Sequence, residues 1–283
     1  MPTFTNKATL SYNGRVTESN TVTGLIIENL TMNKLSLNGS YGDGDRVTYV
    51  VDLINSGTTP FTGLTLTDDL GGYPFGTGTV YPLSYVDGSL VYIVNGVPRV
   101  APIPTSVQPL VINGITVPAG GVATIVYQAD ITQYAPLDVD SEITNTVTAT
   151  GAGLTEPVTA NTTITTFDGP DLTITKALDP TTVNENGTIT YTFVISNSGN
   201  TAAVATDDLI VSDTFDPALG ITSVTLDGAP LSLGTGYTYN AATGLFETVS
   251  GVITVPAASF TQNPDGSYTV TPGSTTLVVV GTV

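Results

Sequence analysis

The chain has 283 residues, enough for about two domains, and 40% of them are hydrophobic against only 11% charged. Six basic residues against 24 acidic ones leave a formal charge of −18, which excludes a nucleic-acid surface that works by displacing counterions. His and Cys are absent, so Ser–His–Asp and Cys–His nucleophilic sites, most transition-metal sites and any disulfide staple are excluded.

No apolar run approaches the roughly 20 residues that cross a bilayer, so membrane insertion is not expected. Abundant Thr, Val, Gly and Pro without helical periodicity predict an all-β chain of short strands and turns. No signal peptide is legible ahead of Phe4, which leaves the route of export open.

The first stretch, residues 1–29, reads as a β-hairpin: Phe4 to Asn13-Gly14, a strong turn signal, then Val16 to Ile27. The chain holds a second copy of it. Ile143-Thr144-Asn145 repeats Phe4-Thr5-Asn6, and Ala160-Asn161-Thr162-Thr163 repeats Ser19-Asn20-Thr21-Val22.

Between and beyond these copies the sequence duplicates itself in the same order, the first three matches at one constant offset. Leu30-Thr-Met-Asn-Lys34 answers Leu172-Thr-Ile-Thr-Lys176, Val47-Thr-Tyr49 answers Ile189-Thr-Tyr191, and Asn55-Ser-Gly57 answers Asn197-Ser-Gly199. Leu64 to Asp68 then answers Leu209 to Asp213, Asn95-Gly-Val-Pro98 answers Asp227-Gly-Ala-Pro230, and Gly121 to Ile131 answers Gly273 to Val283. The expected fold is therefore two tandem immunoglobulin-like antiparallel β-sandwiches plus an N-terminal β-hairpin donor arm. The arm is residues 1–29, a complete module is residues 30–167, and an incomplete module is residues 172–283. Phe167-Asp-Gly-Pro-Asp171 punctuates the two modules.

Three stretches carry a family resemblance: Leu172-Thr-Ile-Thr-Lys-Ala-Leu-Asp-Pro, Gly187-Thr-Ile-Thr-Tyr-Thr-Phe-Val-Ile-Ser-Asn-Ser-Gly-Asn and Val211-Ser-Asp-Thr-Phe. They resemble the conserved-repeat domain of bacterial cell-surface proteins, and the whole chain is similar to two-module clostridial members. The resemblance implies an extracellular β-sandwich at the cell surface and implies no catalytic activity.

Module one continues past Ile131 into a closing hairpin, Ile143 to Thr166, whereas module two reaches only the equivalent of Ile131. It is expected to lack its last two strands, leaving unpaired backbone and an apolar groove. The arm could close its own second module or insert into that of another copy. The path of the chain favours the second, because Asn29-Leu30 enters module one as Phe167 to Leu172 enters module two. The expected partner is thus another copy of the chain, in a head-to-tail homopolymer that propagates instead of closing. An adhesin or ligand-binding module with a self-closed arm is the alternative, with contact loops such as residues 71–85 or 234–244.

Strand alternation supplies a candidate site. Lys34 shares a face with Leu30 and Met32, Asp68 with Leu64 and Leu66, and Asn145 with Ile143, Val147 and Ala149. In the second module Lys176 and Asp213 face the same way, and Asn6 of the arm stands where Asn145 stands in the first closing strand. The sequence has only three lysines in all. A Lys, an acid and an amide meeting in a core resemble the intramolecular isopeptide sites of Gram-positive pilins and adhesins. The chemistry needs a desolvated neutral amine and a protonated acid beside the amide carbonyl. It would join Lys34 to Asn145 with Asp68, and Lys176 to Asn6 of the neighbouring chain with Asp213. A buried polar network without a bond, or a lysine head reaching solvent at a strand end, are the other states open to these residues.

Asp43, Asp45, Asp168 and Asp171 are the calcium candidates, though no twelve-residue loop pattern accompanies them. The paired acids Asp68-Asp69, Asp138 with Asp140, and Asp207-Asp208 lack the Trp platform expected of a glycosidase. No cofactor is expected. The expected function is a structural subunit of an extracellular fibre or pilus, not an enzyme.

Overall fold

The computed structural model describes residues 3–25 and 29–283. Met1, Pro2 and residues 26–28, the last part of the predicted second arm strand, lie outside the described residues. The chain is all-β; among the described residues the only helical element is the 3-10 turn Ala205–Asp207. It divides into two compact units, Met1–Ala135 with Glu142–Thr165, and Pro136–Ser141 with Thr166–Val283.

The first unit is a sandwich of two antiparallel sheets. One sheet runs, in spatial order, Val97–Arg99, Val91–Val94, Val122–Ile131, Arg46–Asn55 and Leu30–Ser36. The other runs Ser106–Val107, Leu110–Val117, Phe61–Asp68, Glu142–Thr150, Val158–Thr166 and Ser40–Tyr41. Strict burial alternation, as in the buried Val47, Tyr49, Val51 and Leu53 of one strand, follows from the two-residue period of the pleat. The core lies between the sheets and is made from Leu, Ile, Val and Tyr.

The arm's hairpin is formed in two pieces, Thr3–Asn6 with Val22–Leu25 and Thr9–Tyr12 with Arg15–Glu18. The pairing breaks at Lys7-Ala8. Its turn is of type I′, with Asn13 at φ 47° and Gly14 at φ 74°, as the Asn-Gly pair predicts. The same left-handed pair recurs at Asn95-Gly96 and Asp227-Gly228, the turns matched by the duplication.

The second unit repeats the first sheet: Leu172–Asp179, Thr188–Asn197, Gly273–Thr282, Gly220–Leu226 and Ala229–Pro230. Its other sheet holds only Ser212–Thr214, Leu245–Thr248 and Tyr237–Asn240. The stretch read as a strand over Leu209 to Asp213 is a strand only from Ser212, with a pairing partner on one side.

One loop is built on the same pattern in both units. The carboxamide nitrogen of Asn55 donates to the carbonyls of Thr59 (2.8 Å) and Pro118 (3.0 Å), and its oxygen accepts from Gly57 N–H (2.9 Å). Asn197 donates to Thr201 (2.8 Å) and Pro256 (3.0 Å) and accepts from Gly199 and Asp171, both at 2.9 Å. A Cβ on Gly199 would lie 2.1 Å from the Gly169 carbonyl oxygen, so only glycine fits there. This explains why Asn-x-Gly recurs at the same place in the duplication. Because the buried carboxamide serves several backbone groups at once, Asn197→Ala is expected to cost the second unit at least about 1–3 kcal/mol, read by denaturant unfolding. A change within error would show that the loop is held by other contacts.

Candidate functional site

The residues singled out in the first unit meet in one buried cluster. The strand Leu30–Ser36 turns Leu30, Met32 and Lys34 inward, and Phe61–Asp68 turns Leu64, Leu66 and Asp68 to meet them. Lys34 Nζ donates to Asp68 Oδ2 at 2.6 Å, with side chains 0% and 3% exposed. Asp68 Oδ1 accepts the Leu70 N–H at 3.1 Å. Beside this pair, Glu142–Thr150 places Val147 opposite Asp68 and brings Asn145, two residues earlier, onto the same inward face.

Two tyrosines that the sequence reading passed over complete the cluster. The Tyr127 hydroxyl donates to Asp68 Oδ2 at 2.6 Å and accepts from Asn145 Nδ2 at 3.1 Å. Tyr49, directly opposite Tyr127 in the sheet, stacks on it with ring centroids 5.4 Å apart. The Lys34 ammonium stands 5.0 Å from the centre of the Tyr49 ring and 5.9 Å from that of Tyr127. No direct hydrogen bond joins Lys34 to Asn145 among the described residues; Asp68 and Tyr127 connect them. The inward register of Gly121 to Ile131 was the available signal for Tyr127, and the repeated Val47-Thr-Tyr49 was the signal for Tyr49.

Burial lowers the pKa of Lys34, and the charge and hydrogen bond of Asp68 oppose that shift without cancelling it. Burial first, and the Asp68 charge second, push the Tyr127 phenol well above its usual range, so it stays protonated. Burial also raises the Tyr49 phenol, while the nearby Asn145 carboxamide opposes it. That carboxamide is close enough to be felt, yet Tyr49 Oη and Asn145 Oδ1 are both buried without a hydrogen bond of normal geometry. The cluster therefore combines an amine pushed toward neutrality, an acid in contact with it, a phenol and an amide.

The second unit carries the same pattern with its cover missing. Lys176 contacts Asp213 and stands over the rings of Tyr191 (4.6 Å), Phe193 (5.5 Å) and Phe215 (5.5 Å). Its side chain is nevertheless 42% exposed, and that of Asp213 18%. Leu172 and Ile174 are 36% and 54% exposed, against 2% and 7% for Leu30 and Met32. Together with Ile195, Leu209, Val211 and Ile253 they line an open apolar groove of about 180 Å³. The expectation that Lys176 faces the core holds in direction but not in burial, because no strand covers that face. Opposite Tyr191 in the sheet stands Val279, where the first unit has Tyr127.

Asn6 lies on the arm with every described neighbour from Thr3 to Val22 exposed, and the third lysine, Lys7, pairs with Glu18 across that hairpin. Asp45 accepts from Gly42 N–H and Asp168 from Asn200 and Thr166, so both cap loops. Asp69 accepts from Gly71 and Thr146 N–H. Asp43 and Asp171 join neither in a shared site: among the described residues no group of three His, Cys, Asp or Glu could hold a metal. No helix among them is long and apolar enough to cross a membrane.

No protein-family model matches the chain. No curated protein matches it either. Among solved structures, the chain is similar to the pilus backbone of Streptococcus pneumoniae, at 14% identity and a TM-score of 0.36 over 89% of this chain and 50% of that one. It thus spans about half the length of that structure. It is also similar to the major pilin subunit of Bacillus cereus, at 10% identity and 0.36 over 96% of this chain and 73% of that one. A 35 kDa C-terminal fragment of a major pilin of Streptococcus agalactiae matches at 12% and 0.32, over 87% and 86%.

Removing one partner of the buried pair leaves an uncompensated charge, while removing both leaves none. Lys34→Ala is expected to destabilise the first unit by at least about 3–5 kcal/mol, and Lys34→Met with Asp68→Leu by clearly less, read by denaturant unfolding. A double variant no better than the single would show that the charges are not what the cluster balances.

Proposed function

We propose that the chain is a structural subunit of an extracellular bacterial fibre, in which residues 1–29 of one copy complete the second unit of the next. The observation that carries this reading is the contrast between two repeats of one pattern. Leu30, Met32 and Lys34 are buried, and Leu172, Ile174 and Lys176 are not. In the first unit the difference is made by Glu142–Thr150 and Val158–Thr166, a hairpin paired beside the Asp68 strand. The arm repeats that hairpin in sequence and offers the same alternation: Phe4, Asn6, Ala8 and Leu10 on one face. Phe4 and Leu10 are 54% and 61% exposed, so the arm carries apolar side chains that bury nothing where they stand. An isolated two-stranded hairpin of this kind is marginal in water, and each large side chain seated in a groove contributes about 1.5–3 kcal/mol.

In this reading Asn6 takes the place beside Lys176 and Asp213 that Asn145 takes beside Lys34 and Asp68. The internal cluster forms a Lys34–Asn145 isopeptide bond, and the joint between copies forms a Lys176–Asn6 bond. The acidic, Lys-poor surface suits a secreted assembly, and the subunit itself is not an enzyme.

Electron microscopy of the purified protein tests the assembly. Filaments are expected from the whole chain, none from a chain lacking residues 1–29, and short oligomers when a synthetic 1–29 peptide is added in excess. Filaments from the arm-less chain would overturn strand donation, and a strictly monomeric whole chain would point to self-closure. A detergent-resistant ladder should collapse on Asn6→Ala or Lys176→Ala while filaments persist; a ladder unchanged by either variant excludes that bond.

A further inference from the structure

We infer that Tyr127 is a catalytic residue of the Lys34–Asn145 bond, passing a proton from Asp68 to the departing carboxamide nitrogen. The inference rests on the internal bond just proposed and assigns a role to a residue that neither the duplication nor the Lys–Asp–Asn pattern singles out.

The geometry is specific. Tyr127 Oη lies 2.6 Å from Asp68 Oδ2 and 3.1 Å from Asn145 Nδ2, so it bridges the acid and the nitrogen that must leave. Among the described residues it is the one group within normal hydrogen-bond geometry of the Asn145 carboxamide, whose oxygen is buried without a partner. The Tyr49 hydroxyl, on the neighbouring strand, has no such bond. Two phenols stacked in one cluster are therefore in different positions: one is wired between the reacting groups and the other is not.

The proton count closes. Lys34 Nζ gives one proton to the Asp68 carboxylate it touches and attacks Asn145 Cγ as a neutral amine. The Nζ–Cγ bond forms and the Cγ–Nδ2 bond breaks. At rest the carboxamide donates to Tyr127 and Tyr127 to Asp68; once attack has made Cγ tetrahedral and Asp68 holds the proton, both directions reverse. Tyr127 then protonates Nδ2, which leaves as ammonia, and is reprotonated by Asp68. The second proton lost by Nζ goes to Asp68, so the products are an amide, ammonia and a neutral carboxylic acid. The charged pair at the start and the neutral set at the end carry the same net charge. A buried phenol held protonated by its surroundings is suited to this relay.

The second unit has Val279 in the corresponding place, directly opposite Tyr191. A joint at Lys176 has no phenol at the position of Tyr127 to serve the leaving nitrogen, so the internal bond is the faster of the two.

The test is peptide mapping with intact mass on the whole chain, sampled at intervals after expression. In the wild-type chain the cross-linked Lys34 and Asn145 peptides are expected, lighter by one ammonia. Tyr92→Phe, whose hydroxyl donates to the Thr116 carbonyl outside the cluster, should form them at the wild-type rate, and Tyr127→Phe at least about a hundredfold more slowly, the low end of what a positioned acid–base group contributes. Tyr127→Phe cross-linking as fast as wild type would overturn the relay while leaving the bond intact. Uncross-linked wild-type peptides would overturn both, and an equal slowing in Tyr92→Phe would reduce Tyr127 to packing. Should Tyr127→Phe fail to fold, 3-fluorotyrosine placed at position 127, a more acidic phenol of nearly the same shape, must change the rate; an unchanged rate rejects the relay.

Discussion

A strand has two faces, and a face rich in apolar side chains is stable only when a second sheet lies over it. Everything distinctive here depends on that constraint. The pattern Leu-x-apolar-x-Lys occurs twice on equivalent strands, and the strand alone does not decide what becomes of its lysine. In the first unit a six-stranded sheet covers the face, so Lys34 loses water and must be satisfied by Asp68 and two aromatic rings. In the second, the facing sheet has three strands and the same lysine reaches solvent above its rings. Burying a charge is costly unless it is paired, so cover and chemistry arrive together.

The two units otherwise share their frame closely enough to make this comparison meaningful. The Asn55 and Asn197 loops use the same donors and acceptors, and Tyr49 and Tyr191 hold the same register against the strand that follows. The difference therefore lies in the second sheet. Without a strand beside Ser212–Thr214 where Glu142–Thr150 lies beside Phe61–Asp68, the apolar floor of Leu172, Ile174 and Leu209 remains open.

Much of this was legible in the residues. Asn-Gly and Asp-Gly turns located hairpins because only left-handed backbone fits a two-residue loop, and alternation placed Lys34, Asp68 and Asn145 on inward faces. The tyrosines were harder. Tyr127 sits on a strand whose other inward residues are Ala and Ile, so it reads as core filling until its hydroxyl is seen between Asp68 and Asn145. A strand's own sequence does not report what faces it: Lys176 has the inward register of Lys34, yet its side chain is 42% exposed. The break at Lys7-Ala8 likewise has no signature, since those residues continue the alternation while the pairing is interrupted.

The order in which the chain is synthesised gives the second unit's sheet a further meaning. Among the described residues the arm's four strands pair only with one another across a tight turn, an event of microseconds that needs nothing else of the chain. The groove, in contrast, has as its floor Leu172–Asp179 and Thr188–Asn197, and the strand that braces Thr188–Asn197 from the far side is Gly273–Thr282, made much later. Closing so long a loop makes that pairing slow. The hairpin is therefore ready early, while the braced floor of the groove does not exist until synthesis has passed residue 282. Position in the sequence alone thus sets the order in which the exposed hairpin and the open groove appear.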